Sequence, residues 1–158
     1  MSNKTIATTR FNDKTYEQNV NYKKKIKHMG CLYGTPMKLK ETIPLESNIY
    51  VIEMNNTTNK IEGIGLIVNR QVLDKTYRIY DDMDYNRYIY KGNKRISVAN
   101  ITDEYNKRVI HVLEQLLFKG ERHCKRAQGI TELSNWILHN KFNFDFIRVF
   151  TQMFNKYI

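Results

Sequence analysis

The chain has two cysteines, two prolines, one tryptophan and seven glycines in 158 residues, and each scarcity removes a class of protein. Two thiols, Cys31 and Cys124, are too few for a disulfide framework and predict reduced cysteines in an intracellular setting, cytoplasmic or nuclear, or inside a virion. The low glycine and proline content, beside 41% hydrophobic residues, excludes collagenous and low-complexity chains. No apolar run approaches the roughly 18 residues of a membrane span, and MSNKTIATTRF lacks the apolar stretch of a secretory signal, so a soluble chain with no membrane partner is expected. The length suits one domain with a substantial core.

Acidic residues are scarce as well, 16 against 26 Lys and Arg, which leaves a net charge of +10. The imbalance sits at the two ends. Residues 1–40 hold nine Lys or Arg against two Asp or Glu, residues 41–118 hold ten against eleven, and residues 119–158 hold seven against three. If the ends meet in space they make one positive face, which concentrates polyanions through its long-range field. A basic chain is also simply a soluble one, so charge by itself leaves both readings open.

What is present in quantity is β-prone apolar sequence with aromatic residues. Ile49 to Val68, IYVIEMNNTTNKIEGIGLIV, reads as two buried strands joined by a polar hairpin turn. Gly63 and Gly65 leave one face of the second strand bare at successive positions, which predicts a bulge, strong curvature or a close neighbour there. Thr5 to Phe11 predicts an earlier strand. Asn12, Asp13 or Thr15 then caps a helix over Tyr16 to Lys27, whose last turns carry Lys23, Lys24, Lys25 and Lys27. Met29 to Lys40 holds Gly34 and Pro36 and predicts an irregular tight path. Thr76 to Tyr90 contains five of the eleven tyrosines and predicts two β segments, at Tyr77 with Ile79 and at Tyr88 with Tyr90, about a turn at Asp81 to Asn86. From Thr102, the expected N-cap, helical periodicity takes over: one helix to Gly120, a second over Thr131 to Asn140, a third over Asn143 to Tyr157. The expected fold is α+β, a small curved and mainly antiparallel sheet or barrel over residues 5–98 followed by three C-terminal helices over 102–158.

The densest cluster of donors is KGERHCKRAQGI, where Lys119, Arg122, His123, Lys125 and Arg126 fall within eight residues and Gly120 and Gly129 flank all but the first of them. Guanidinium forks on such a loop suit bidentate phosphate contacts, as Lys23, Lys24 and Lys25 suit them at the helix end. Tyr33 beside Gly34, and the strand bearing Tyr88 and Tyr90, offer flat faces for bases. A solvated interhelical loop and half-exposed tyrosines are the plainer account of the same residues. Metal chemistry has little to work with: the six Cys and His contain no Cys-x-x-Cys or His-x-x-x-His pair, and His28-x-x-Cys31 with the adjacent His123 and Cys124 makes a poor ligand set, so no metal or cofactor is expected. A Cys124 nucleophile activated by neighbouring cations, and a nuclease site using Glu53, Glu62 and Lys60, are chemically conceivable but carry no flanking motif. The leading expectation is therefore a non-catalytic nucleic-acid-binding module for RNA or single-stranded or modified nucleic acid. The rivals are a protein-interaction or virion component with an acidic partner, and an enzyme acting on nucleic acid.

The order of elements, with TIATTRF and TYEQNVNYKKKI, then CLYGTPM, SNIYVIEMN, IEGIGLIVN and YRIY, resembles the PUA-like small barrels that include the EVE and ASCH domains. The resemblance covers about Thr5 to Ser97. It implies a barrel that binds RNA or a modified nucleotide in a pocket between the first helix and the barrel, near Tyr33 and Gly34. The long C-terminal helical section, which holds Trp136, departs from that pattern. The Lys-, Asn- and Tyr-rich composition also resembles that of proteins from large DNA viruses with AT-rich genomes.

Overall fold

A computed structural model describes residues 4–158. Its centre is a five-stranded mixed sheet in the order β6-β4-β3-β1-β7, formed by β1 (Lys4–Phe11), β3 (Asn48–Asn55), β4 (Lys60–Val68), β6 (Lys94–Ser97) and β7 (Thr131–Glu132). β1 and β3 run parallel and the other pairings are antiparallel. A parallel neighbour needs a crossover, and here it consists of α1 (Asp13–Lys25), β2 (Cys31–Thr35) and the loop to Asn48. β2 pairs with β5 (Tyr88–Gly92) as a separate antiparallel ribbon. The chain ends in α2 (Glu104–Phe118), the single turn α3 (Asn135–Leu138) and α4 (Phe146–Tyr157).

Strand alternation sends side chains to opposite faces, and in this sheet both faces are covered. Ile6, Tyr50, Ile52, Met54 and Ile64 pack with Leu113, Phe146, Phe150 and Met153 of the C-terminal helices. Ala7, Phe11, Ile49, Val51 and Ile67 pack with Leu32, Tyr33, Ile89 and Tyr90 of the ribbon. Burial on both sides accounts for the nearly unbroken apolar reading of β3.

The predicted hairpin, first strand and first helix are all present. Asn12 caps α1 by accepting from Thr15 N while the Thr15 hydroxyl accepts from Asn12 N, a reciprocal capping box. The first glycine of β4 adjoins a bulge: Gly63 lies opposite Glu53 and Ile61 opposite Met54, so Glu62 is the extra residue, while Gly65 pairs in regular register with Val51.

Of the two forms expected for the α+β fold, a curved sheet or a barrel, the structure has the first: the sheet is open, with β6 and β7 as its edges. Four expectations need correction. Cys31–Thr35 is a regular strand despite Gly34, because every residue in it pairs with β5. Tyr77 and Ile79 form no strand, since Asn86 Oδ1 accepts from both Ile79 N and Tyr80 N and takes the place of a ladder. Thr131 and Glu132 open as an edge strand on β1 where the start of a helix was expected, and Asp103, one residue after Thr102, caps α2.

Candidate functional site

Tyr33, Gly34, Tyr88 and Tyr90, the aromatic half of the predicted site, fall on the β2–β5 ribbon and mostly turn inward. Tyr33 is 1% exposed, and its hydroxyl donates to Glu53 Oε2 at 2.6 Å. Tyr90 is 2% exposed, and its hydroxyl accepts from Leu39 N. Neither offers a ring face for stacking, so that expectation fails on burial. Tyr88 is half-buried, with Lys38 Nζ of the same chain 5.8 Å from its ring centre.

Glu53 is the hub of a buried polar cluster. Arg95 donates to it through Nε at 2.9 Å and Nη2 at 2.5 Å, and Arg95 Nη2 also reaches the Tyr16 hydroxyl at 3.2 Å. Burial opposes the Arg95 charge, but the hydrogen bonds and charge of Glu53 outweigh it and raise the pKa. Burial, then the charge of Glu53, raises Tyr33 as well. The bare face of β4 exists for this cluster: a Cβ on Gly63 would meet the Arg95 guanidinium, and one on Gly65 would overlap the Tyr33 hydroxyl and Cys31 Sγ. Glu62 instead accepts from Asn55 Nδ2 at 2.8 Å. Glu53 and Glu62 therefore form no carboxylate pair, and the nuclease arrangement is not built.

The basic half divides. Lys24 and Lys25 are exposed at the C-terminal end of α1, while Lys23 is partly buried and donates to Gly30 O, its pKa lowered by burial and then by Arg95. The loop from Lys119 to Ile130 lies by the other end of α1, on the order of 15–20 Å away at 1.5 Å per residue. The two basic clusters thus form separate patches. Arg10 and Lys14, from the basic N-terminal region, are the residues that meet the loop.

They meet at a cavity of about 540 Å³. One wall is the start of α1 with Asn12, Lys14, Thr15 and Gln18, and another is the loop with Lys125, Arg126 and Gly129. Phe11, Gly34, Tyr80 and Tyr85 close the apolar side, with Asp81 and Asp82 at the rim. Gly34 permits this closure, since a Cβ there would overlap Tyr85 O and press on the Tyr80 ring. Tyr80 is held by Asn19 Nδ2 at 3.0 Å. No partner of the Tyr85 hydroxyl occurs among the described residues.

Arg10 is the residue that shapes the loop. Its Nη1 donates to Cys124 O at 3.0 Å, and its Nη2 donates to Gly129 O at 3.2 Å and Thr131 Oγ1 at 2.7 Å, while burial lowers its pKa to about 10. Gly129 has φ of 72°, and a Cβ there would also overlap Thr35 Oγ1, so the loop's far anchor demands glycine. Asn56 Nδ2 donates to Lys125 O at 2.9 Å and fixes the near side. Among the described residues three buried side-chain polar atoms have no partner: Arg10 Nε, Asn56 Oδ1 and Asn59 Oδ1. Arg10 and Asn56 both line this cavity. Neither atom is exposed to the cavity, so what the cavity itself presents is the side chains of Lys14, Lys125, Arg126, Tyr80 and Tyr85.

A second hollow of about 560 Å³ near Asn140 is lined by Phe144, Asp145 and Phe146 and by no Lys or Arg, which makes it the wrong place for an anion. Lys14 is partly engaged by Asp81 at 3.5 Å, a weak exposed pair; Lys125 and Arg126 have no ion pair among the described residues. His123 Nδ1 accepts from Lys125 N at 3.2 Å, so the ring is set by the loop backbone and makes no hydrogen bond to the Cys124 thiol. A Cys–His nucleophile is not assembled there. Among the described residues no three His, Cys, Asp or Glu side chains gather as metal ligands would, and no helix is long and apolar enough to cross a membrane.

Of the predicted site residues, the cavity brings together Gly34, Lys125 and Arg126. Arg122 and His123 lie on the other side of the same loop, and Lys119 on neither. Sequence reasoning missed Arg10, Asn56, Tyr80 and Tyr85. Arg10 carried a signal, as the one charge inside the otherwise uncharged strand TIATTRF. The others carried none, because only the fold brings them together.

A scan against protein-family models, a search of curated proteins and a search of solved structures each found no match.

Proposed function

We propose that the chain is a non-catalytic nucleic-acid-binding module, which holds an unstacked nucleotide of a single strand in the cavity between α1 and the Lys119–Ile130 loop. The observation that supports this reading is a single cavity that sets the cations Lys14, Lys125 and Arg126 against the aromatic rings of Tyr80 and Tyr85. Its volume falls within the roughly 300–1,000 Å³ of small-molecule pockets. The flat face of a base suits Tyr85. Lys125 and Arg126, unpaired at the mouth, suit the backbone phosphates. In single strands each neutralised phosphate contributes about 0.7 to the log-log slope of affinity against salt.

The test is fluorescence anisotropy with labelled single-stranded RNA, single-stranded DNA and duplex DNA over a salt series. Single strands are expected to bind more tightly than duplex, with a steep salt dependence, and Tyr85→Ala is expected to weaken binding by about 1–3 kcal/mol, the worth of one stacked base. Absence of binding, or binding indifferent to salt and to Tyr85, would overturn the reading.

A further inference from the structure

On the opposite side of the Lys119–Ile130 loop lies a groove of about 210 Å³, walled by Arg10, Arg122, His123, Arg126, Thr131 and Ser134. It is too small for a nucleoside, since pockets for organic ligands begin at roughly 300 Å³, and its walls are rich in donors. The Arg122 guanidinium lies over the Trp136 ring at 4.7 Å, which holds the fork in place, and among the described residues its N–H groups have no acceptor. His123 Nδ1 is occupied by the Lys125 amide, so the neutral ring carries its proton on Nε2 and presents a donor. Arg126 is exposed and unpaired among the described residues. The one carboxylate of the lining, Glu132, accepts from the Thr42 hydroxyl at 3.2 Å.

Two guanidiniums without acceptors, a ring N–H and the Ser134 hydroxyl about so small a space suit a tetrahedral oxyanion. Arg10, Arg126 and Ala127 are walls of both groove and cavity, so a chain that enters the cavity reaches the groove across a single loop. We propose that the groove is a phosphate site, filled by the phosphodiester adjacent to the nucleotide held in the cavity. The source of the phosphate rests on the proposed nucleic-acid function; the recognition of phosphate rests on the groove.

The experiment follows the Arg Nε–Hε and His ring signals of the full chain by NMR. Inorganic phosphate is titrated against sodium chloride at matched ionic strength, and then an RNA trinucleotide is titrated with normal linkages and with a single uncharged methylphosphonate linkage at either position. Phosphate is expected to shift Arg122 and His123 saturably where chloride does not. Arg122→Ala, with the backbone amide signals of the β3–β4 hairpin as a check on folding, is expected to abolish saturation, and the exposed Arg126→Ala to weaken it. One of the two methylphosphonates is expected to lower trinucleotide affinity roughly tenfold to a hundredfold, the worth of a charge-assisted hydrogen bond. No saturable phosphate shift, or a trinucleotide that moves Tyr85 and Asn56 but leaves Arg122 and His123 unmoved, overturns the proposal. Phosphate saturating Arg122 while no oligonucleotide moves either hollow supports the groove as a phosphate site and removes the proposed function.

Discussion

Two arginines are drawn into the body of this protein, and they are treated differently. Arg95 meets a carboxylate with two hydrogen bonds and a tyrosine hydroxyl with a third, in a space that Gly63 and Gly65 clear for it. Arg10 meets only neutral acceptors, the carbonyls of Cys124 and Gly129 and two threonines, and keeps one buried N–H open. The first arrangement pairs its charge with a carboxylate and ties the ribbon to the sheet. The second shapes a loop through neutral acceptors and has no counter-charge among the described residues. Charge content does not separate the two clusters; the presence of a counter-charge does.

The contrast can be broken most sharply at Glu53. Glu53→Ala leaves Arg95 buried without its counter-charge and is expected to cost about 3–5 kcal/mol in urea unfolding, the usual penalty for stranding one partner of a buried pair. A loss below about 1 kcal/mol would mean that Arg95 escapes to water and that the cluster is not structural. Arg10→Ala is expected to cost less, about 1–3 kcal/mol for its lost hydrogen bonds, and to abolish nucleic-acid binding, because the loop loses its hold on β1. Arg10→Lys should not restore binding, since an ammonium cannot span the Cys124 and Gly129 carbonyls.

Asp103 sharpens the comparison from outside both clusters. It caps α2 by accepting from Asn106 N, and it ties down α4 by accepting from the Tyr157 hydroxyl and pairing with Lys156. The Tyr157 hydrogen bond is the largest cause that holds its carboxyl well below the usual range. The unfolded chain therefore takes up this proton more readily than the folded one. The contribution is complete above about pH 5 and fades as pH falls past the unfolded value near 3.9. Asp103→Ala should cost about 1 kcal/mol at pH 7, a typical N-cap loss, with the difference from wild type shrinking in acid. A pH-independent difference would contradict this assignment.

Much of the fold was legible because local signals and tertiary demands agreed. The β3–β4 hairpin combined β-branched runs with an Asn- and Thr-rich turn, α1 began at a residue suited to capping, and α2 and α4 had clear apolar stripes. The misreadings arose where distant partners decided. Gly34 and Pro36 disguised β2, whose identity comes from pairing with β5. Thr131 and Glu132 lay in a helical-looking stretch, and β1 claimed them as an edge. The bare face of β4 was visible, but its occupants, Arg95 and Tyr33, were not. Likewise the loop's Lys125 and Arg126 could be picked out as a charge run, whereas Arg10, Asn56 and Tyr85 come from three separate segments that the parallel β1–β3 pair and the ribbon bring to one place.

The central claim is that the loop cavity, and not charge in general, is the nucleic-acid site, and the two exposed basic patches allow a direct test. Single-stranded RNA binding across a salt series should be compared between wild type, Lys125→Ala with Arg126→Ala, and Lys24→Ala with Lys25→Ala. Each double variant removes the same charge, and each should change stability by no more than about 0.5 kcal/mol. The account predicts that the loop variant loses affinity and about 1.4 from the log-log salt slope, two phosphates at about 0.7 each, while the helix-end variant keeps the wild-type slope. Equal losses in both variants, or a loss confined to Lys24 and Lys25, would contradict it.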